Sequence, residues 1–197
     1  MKTIIKVLVL SALLIVGVAC SPIVKLVYGI KQPKPTSNSE VIQYANSLFE
    51  GNYKLYRPSE ENSYFELIDK YRVSFPGIIF FDNDGIGVSM HKDTVTSCTA
   101  NADSFIRQVE NLKNNSRLGY HRNDIDALIE PIDDLPESSV QSIQPQYSIR
   151  VFWSDFSGDK LNKSKTKKWL ATYKSLPDEF KSMIDIRLIN MDLLPVE

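Results

Sequence analysis

The side chains best suited to redox or metal chemistry, two cysteines and two histidines, are scattered along the 197-residue chain. Cys20 and Cys98 are far apart, so the chain has no CxxC pair that could exchange disulfides. His91 and His121 are equally isolated, whereas a zinc site needs about four nitrogen or sulfur ligands. The sequence therefore predicts neither a dithiol enzyme nor a metal centre, and no cofactor is expected.

Cys98 is the residue that could act as a lone reactive thiol. It stands in Thr96-Ser97-Cys98-Thr99, just before a predicted helix whose positive end would stabilise a thiolate. A partly buried cysteine that packs as a small apolar side chain is more common, and we favour that interpretation. A monothiol redox or peroxide-sensing enzyme that uses Cys98 remains an alternative hypothesis.

Two further patterns lack essential parts of the sites that they partly match. Ser157 lies between Phe156 and Gly158, outside any GxSxG turn, and two isolated histidines offer no credible Ser-His-Asp set. Asp82-x-Asp84-Gly85 has two acids of a calcium loop but lacks the distal acid and further oxygen ligands. We interpret residues 82–85 as a tight turn between two strands.

Residues 1–30 are interpreted as a signal or membrane anchor. Lys2 and Lys6 form a short basic region, and residues 7–19 are apolar except for one serine. Three interpretations remain open: a helical anchor that continues through residues 23–30, a bacterial lipoprotein signal with Cys20 as the lipidated residue, and a cleaved secretory signal. A helical anchor of this length would supply the ~20 residues that a helix needs to cross a bilayer. Each interpretation exports the rest of the chain to the cell envelope.

The remaining chain is predicted to be a tether followed by one domain. Residues 31–37 (KQPKPTS) contain two prolines and no large apolar residue, which is typical of a tether. Residues 38–197 are long enough to bury one core. Segment 114–146 is polar and rich in turn residues, so we predict a less ordered connection there, with one or two helical turns near Ile125.

Helical and strand patterns within residues 38–197 predict an α/β domain. Capping boxes at Ser37-x-x-Glu40 and Ser63-x-x-Glu66 mark the starts of two helices. The apolar run Ile78–Phe81 predicts a central strand buried on both faces, and residues 86–90 would form its hairpin partner. Further helices are predicted after Asn101 and Gly158, and further strands at 147–153 and 184–188.

The expected arrangement of these strands follows from the connections between them. A helix joins the strands at 147–153 and 184–188, which is the βαβ pattern. Crossover connections of this kind place neighbouring strands parallel. We therefore expect Ile149–Trp153 to pair in parallel with both Ile78–Phe81 and Ile184–Leu188.

Two parts of the chain resemble the thioredoxin superfamily, but in reversed order. Residues 71–85 (YRVSFPGIIFFDNDG) are similar to the second half of the family, where an X-Pro bond precedes a buried strand, a glycine turn and a second strand. Residues 152–160 (FWSDFSGDK) resemble the turn in which Phe-Trp precedes Cys-Gly-Pro-Cys, and residues 186–192 resemble the strand that follows. The resemblance implies a thioredoxin-like layered domain, with helices on both faces of a mixed sheet and its halves circularly permuted; another α/β layered fold is the alternative.

The same resemblance implies where a degenerate active site would lie. Ser157 and Lys160 occupy the two cysteine positions around Gly158, and Trp153 precedes this turn. In the family a cis X-Pro bond faces the active site, and the resemblance implies that Phe75–Pro76 is the equivalent bond in this chain. Disulfide exchange needs a thiolate and a second, resolving thiol, which serine and lysine cannot supply. These positions are therefore expected to be redox-inactive.

Charge and composition narrow the partners. The formal net charge is -1, so we expect no nucleic-acid partner. Five lysines between positions 160 and 168 predict a solvated helix face that would tolerate weak contact with anionic lipid or an acidic partner. The predicted function is a membrane-anchored, redox-inactive, thioredoxin-like binding or adaptor protein of the bacterial cell envelope, which contacts lipid through its N-terminus and an unidentified protein partner. A membrane-held inhibitor or immunity-type protein is a further hypothesis.

Overall fold

The computed structural model describes residues 29–49, 53–90, 102–132 and 145–195. Within these residues, strands form one mixed sheet in the order β4-β3-β2-β6-β7-β1-β5. The strands are β1 (Leu55–Pro58), β2 (Gly77–Phe81), β3 (Ile86–Val88), β4 (Arg117–His121), β5 (Ile129–Pro131), β6 (Tyr147–Trp153) and β7 (Ile184–Asn190). The predicted α/β class with a mixed sheet is confirmed.

Helices connect these strands. They are α1 (Asn38–Leu48), α2 (Glu61–Asp69), α3 (Ala102–Arg107), α4 (Arg122–Asp126), α5 (Asp159–Asn162), α6 (Lys168–Lys174) and α7 (Asp178–Ser182). Short 3₁₀ turns occupy Val109–Asn114 and Asp155–Ser157. A π-helical segment, Lys163–Lys167, joins α5 to α6.

One of the two predicted capping boxes is present. The Ser37 hydroxyl accepts the Glu40 N–H, and the Ser37 N–H donates to the Glu40 carboxylate at 2.8 Å. The prediction for α2 is wrong, because that helix begins at Glu61 without a side-chain cap. Ser63 lies buried within its first turn, and the Ser63 hydroxyl is 3.0 Å from that of Ser59. Because the Ser63 hydroxyl contacts Ser59, it does not cap a helix that begins after Ser63.

The core lies on both faces of the sheet, as the apolar run in β2 predicts. Ile78 and Phe80 pack in one cluster, beneath α1, α3 and α6. Ile79 and Phe81 pack in a second cluster, beneath α2 and α4. Complete burial of side chains of this size contributes about 1.5–3 kcal/mol each. Strand β2 is therefore a principal source of stability for both layers.

The pairing of β6 is predicted correctly on one side only. It runs parallel to β7 from Tyr147 beside Ile184 to Trp153 beside Asn190. Its other neighbour is β2, but that pair is antiparallel, so the expectation of parallel pairing there is wrong. The βαβ rule applies to strands joined by one crossover, as β6 and β7 are. Strand β2 instead turns back into β3 and reaches β6 only through several further elements.

Segment 114–146 contains more regular structure than its polar sequence predicts. Strand β4, helix α4 and strand β5 all lie between residues 117 and 131. Each strand pairs on one side only, β4 with β3 and β5 with β1, so both form edges of the sheet. Short edge strands with exposed side chains lack the apolar alternation on which the prediction depended. Residues 133–144 are outside the described residues.

The predicted tether, residues 31–37, lies against the domain. The Lys31 N–H donates to the Phe156 carbonyl at 2.8 Å, and Pro35 forms a parallel bridge with Leu193. Thr36 is only 5% exposed, and its N–H donates to the Leu193 carbonyl. Main-chain hydrogen bonds hold this segment although it has no large apolar side chain. The predicted anchor falls almost entirely outside the described residues, among which no helix is long and apolar enough to cross a membrane.

Candidate functional site

Most of the predicted site residues meet at one edge of the sheet, which we call the carboxyl edge. The parallel strands β6, β7 and β1 all end there. Because β2 is antiparallel to β6, it begins at the same edge, with Gly77 beside Phe152. Ligands of α/β proteins commonly bind outside the carboxyl ends of parallel strands. Trp153 and Pro76 both lie at this edge because of these pairings.

The turn that follows β6 is closed by its own serines. The Ser154 hydroxyl accepts the Ser157 N–H at 3.1 Å, and the Ser157 hydroxyl donates to the Ser154 carbonyl at 2.8 Å. Gly158 follows with φ 86°, a left-handed conformation that favours glycine. Ser157 is only 4% exposed. Its hydroxyl therefore serves the turn and is largely withdrawn from solvent.

A buried amide extends this network to helix α1. Asn162 Nδ2 donates to the Ser154 carbonyl at 2.8 Å and to the Tyr44 hydroxyl at 3.3 Å. The Tyr44 hydroxyl in turn donates to Asp159 Oδ1 at 2.6 Å. Burial, helped by the hydrogen bond to Asp159, raises the pKa of Tyr44 well above its ordinary value. The phenol therefore stays protonated and keeps its role as a donor.

Trp153 lies behind the turn and is completely buried. Its ring stacks on Tyr44 with centroids 5.8 Å apart and meets the edge of Phe49 at 5.2 Å. Its indole nitrogen has no hydrogen-bond partner among the described residues. Trp153 therefore fixes α1 to the sheet by packing and presents no polar atom to a ligand.

The X-Pro segment lies across the same turn. The Phe75–Pro76 bond is cis, as the resemblance implied. The Phe75 ring meets the Phe156 ring edge-on, with centroids 5.2 Å apart. Lys160, by contrast, is exposed on the first turn of α5. The structure thus places Phe75–Pro76 beside the turn, and of the two positions that correspond to the cysteines, Ser157 is buried and Lys160 is exposed.

The two cysteines that the sequence singled out cannot be placed. Cys98 falls within residues 91–100 and Cys20 within residues 1–28, and both ranges are outside the described residues. The reactive-thiol and lipidation hypotheses therefore stay predictions.

Asp192 fastens the end of β7 to this turn, a role that sequence reasoning missed. It is buried and accepts the Asp155 N–H at 3.0 Å and the Asn190 side-chain amide at 2.8 Å. Burial raises the pKa of Asp192, and the hydrogen bonds from Asn190, Asp155 and Phe156 offset only part of that rise. Two polar residues at the end of a buried strand were visible in the sequence, but the groups that they bind were not.

We expect Asp192 to make the protein less stable as pH rises. A folded-state pKa above the unfolded value of about 3.9 means that the folded chain holds this proton more tightly. The contribution of Asp192 to stability is therefore complete below about pH 3.9 and is lost as pH rises through the folded-state pKa. Urea unfolding of the native chain and of Asp192→Asn should be compared across this pH range. As pH rises, the free energy of unfolding of the native chain should fall relative to that of the variant. A rise in the native chain relative to the variant would mean that the hydrogen bonds outweigh burial.

His121 and Asp82 have structural roles in the described part of the chain. His121 Nδ1 accepts the Asn123 N–H at 3.0 Å and caps α4, while its Nε2 lies 3.0 Å from the Asp84 carbonyl. Asp82 Oδ1 accepts the N–H groups of Asp84 and Ile86, so residues 82–85 form the predicted turn. The described residues contain no group of three or more potential metal ligands.

A buried ion cluster on the sheet is the largest polar feature that sequence reasoning missed. Arg150, on the central strand β6, is 0% exposed and makes two hydrogen bonds of 2.8 Å to the Asp126 carboxylate. Its Nη2 also lies 2.9 Å from Asp185, and Arg187 contacts both carboxylates. The signal in the sequence was one arginine inside a strand of mostly apolar residues. Such a residue requires buried counter-charges.

Comparisons with known proteins place the chain in no family, because no family model, no curated protein and no solved structure matches it.

Proposed function

We propose that this protein is a membrane-anchored, redox-inactive binding or adaptor protein of the cell envelope, built on a circularly permuted thioredoxin-like domain. The observation that carries the proposal is the commitment of the Ser157 hydroxyl to the Ser154 carbonyl, inside a turn where a thiol would have to be free. Among the described residues this hydroxyl has no histidine or carboxylate partner that could act as its base. The turn is thus a structural element. We infer that the carboxyl edge, which this turn helps to form, serves in binding.

The arrangement of the two halves supports the thioredoxin-like interpretation. The β6-helix-β7 half and the Phe75–Pro76, β2, turn, β3 half contribute to one sheet, with β2 directly beside β6. Separate cores for the two halves would have argued against a permuted domain. The ring contact between Phe75 and Phe156 also brings the two resembling motifs together.

The path of the chain supports a role near a membrane. Residues 1–30 contain the apolar segment, and the chain reaches the domain at Lys31. There the Lys31 N–H donates to the Phe156 carbonyl, and Lys31 Nζ lies 2.6 Å from Asp155 Oδ1. An anchored N-terminal segment would therefore hold the carboxyl edge close to the lipid surface, where a partner protein in the same membrane can reach it.

We expect the purified full chain to show no reduction of insulin disulfides at any pH. A double variant, Ser157→Cys with Lys160→Cys, should form an intramolecular disulfide under mild oxidation and gain weak exchange activity. The helix that follows the turn supplies partial positive charge that stabilises a thiolate. Mass spectrometry after alkylation measures the disulfide, and insulin turbidity measures the exchange.

The matched control is Lys160→Cys with Lys163→Cys, which has the same spacing but avoids the turn. It should not gain comparable exchange activity. Reduction of insulin by the native chain, abolished by Cys98→Ser, would replace the proposal with the monothiol enzyme. Failure of cysteines at 157 and 160 to form a disulfide would show that these positions do not correspond to the dithiol of the thioredoxin family.

A further inference from the structure

A cleft of about 940 Å³ lies at the carboxyl edge, where β7 and β1 end. The segment after β7, Leu193–Pro195, forms one wall, and the start of α2 forms another. Ser37 and Asn38, at the beginning of α1, also line it. A cleft of this size is large enough for several residues of a peptide. Its position outside parallel strand ends is one where α/β proteins commonly bind ligands.

The lining includes a buried cation with unused donor capacity. Arg57, on β1, is 3% exposed and donates to the carbonyls of Thr36 at 3.2 Å and Leu193 at 3.4 Å. Its third partner is the side-chain oxygen of Asn38. All these partners are neutral, and Arg57 Nε has no acceptor among the described residues. A guanidinium has five N–H donors, so Arg57 retains donor capacity beyond its three present partners.

The rim has the opposite charge. Glu60 and Glu61 are exposed at the start of α2, and Glu130 lies across the β1–β5 pair from Arg57. None of these three glutamates forms a salt bridge with any residue that the structure describes. Carboxylates at the rim attract a ligand with cationic groups, over distances of about 10 Å at ordinary salt concentration.

An exposed aromatic side chain adjoins these glutamates. Phe65 is 50% exposed, the one large apolar side chain so placed among the described residues. Its ring meets Tyr64 edge-on at 5.6 Å, and both residues line the cleft. Exposed aromatic residues of this kind are enriched in protein interfaces, where they supply apolar contact area.

We propose that this cleft binds an extended peptide segment of the partner protein in which lysine or arginine side chains flank a large apolar one. The peptide carbonyls would meet the donors of Arg57, the cationic side chains would meet Glu60 and Glu61, and the apolar side chain would pack on Phe65. The inference rests on the proposed binding function and names the chemistry of the partner. It depends on no thiol and on no particular form of membrane attachment.

The test measures binding of two labelled peptides to the full chain in nanodiscs of neutral phosphatidylcholine. Fluorescein-labelled Gly-Lys-Phe-Lys-Leu-Lys-Gly should bind, with fluorescence anisotropy that falls as salt is added, whereas the peptide with glutamate in place of lysine should not. The double variant Glu60→Gln with Glu61→Gln should weaken binding about tenfold, which corresponds to ~1.4 kcal/mol. Phe65→Ser should weaken it by a similar factor. All three positions are on the surface at α2, so the folded state should persist, and circular dichroism checks this.

The matched control is Glu110→Gln with Glu179→Gln, which removes two exposed carboxylates from helix starts elsewhere. It should bind the lysine peptide as the native chain does, and empty nanodiscs should bind neither peptide. The inference is overturned if the native chain binds neither peptide or both equally, or if the control loses as much affinity as the Glu60 and Glu61 variant. These outcomes leave the proposed function standing, since only the insulin assay and its cysteine variants test redox inactivity.

Discussion

Replacing Trp153 with alanine should lower the free energy of unfolding by about 3–5 kcal/mol, the range for removing a large aromatic side chain from a core. Trp153 is completely buried at the end of β6, where it contacts Tyr44 and Phe49 of the α1 region. The cavity would open directly behind the turn that carries Ser157. Urea unfolding followed by far-ultraviolet circular dichroism measures the loss.

Trp153→Phe is the informative companion variant. Because the indole nitrogen has no hydrogen-bond partner among the described residues, phenylalanine removes volume but no polar contact. Its loss of stability should therefore be clearly smaller than that of Trp153→Ala. Equal losses in the two variants would mean that the indole N–H makes an essential hydrogen bond, contrary to the packing role assigned above.

Replacing Arg150 with methionine should cost about 3 kcal/mol, near the lower end of the range for breaking a buried ion pair. Asp126 and Asp185 would each lose a charged partner at less than 3 Å. Arg187 would remain within 3.3 Å of both carboxylates, and for that reason we expect the lower end of the range. Chemical denaturation near neutral pH is the appropriate measurement.

The control for this prediction is Arg187→Met, since Arg187 contacts the same two carboxylates from a partly exposed position. Its loss should be much smaller, because water and Arg150 continue to stabilise the carboxylates. Adding Asp126→Asn and Asp185→Asn to Arg150→Met should recover part of the lost stability by removing unpaired negative charge. Equal effects of the two arginine variants would contradict the assignment of Arg150 as the centre of the cluster.

The parts of the fold that could be predicted from sequence are those in which neighbouring residues determine the outcome. The capping box at Ser37 and Glu40 joins residues three apart, and its two hydrogen bonds are present. The apolar run in β2 has no polar side that could face solvent, so burial on both faces follows from composition alone. The turn at residues 82–85 likewise depends on its own aspartate and glycine.

The parts that could not be predicted depend on residues distant in sequence. The buried cluster around Arg150 joins α4 to β6 and β7, and no local pattern connects Asp126 with Asp185. The cleft is built in the same way, from the segment before α1, strand β1 with the start of α2, and the end of β7. Strands β4 and β5 are short and exposed, so they gain their conformation from pairing and not from an apolar pattern. In the turn after β6, the sequence identified Ser157 as a site residue but not Asn162 as its hydrogen-bond partner.

The contact between Pro35 and Leu193 bears on the order in which the chain connects its strands and helices. These two residues are bridge partners, so the first and last described segments of the domain run side by side. A short covalent link there, with a break in the connection between Ile132 and Gln146, would leave every strand with its present neighbours. Closing a short loop costs little free energy, and circular permutation of a compact domain is commonly tolerated. A chain with the β6-β7 half first would thus keep the contacts of this protein but not its order of residues.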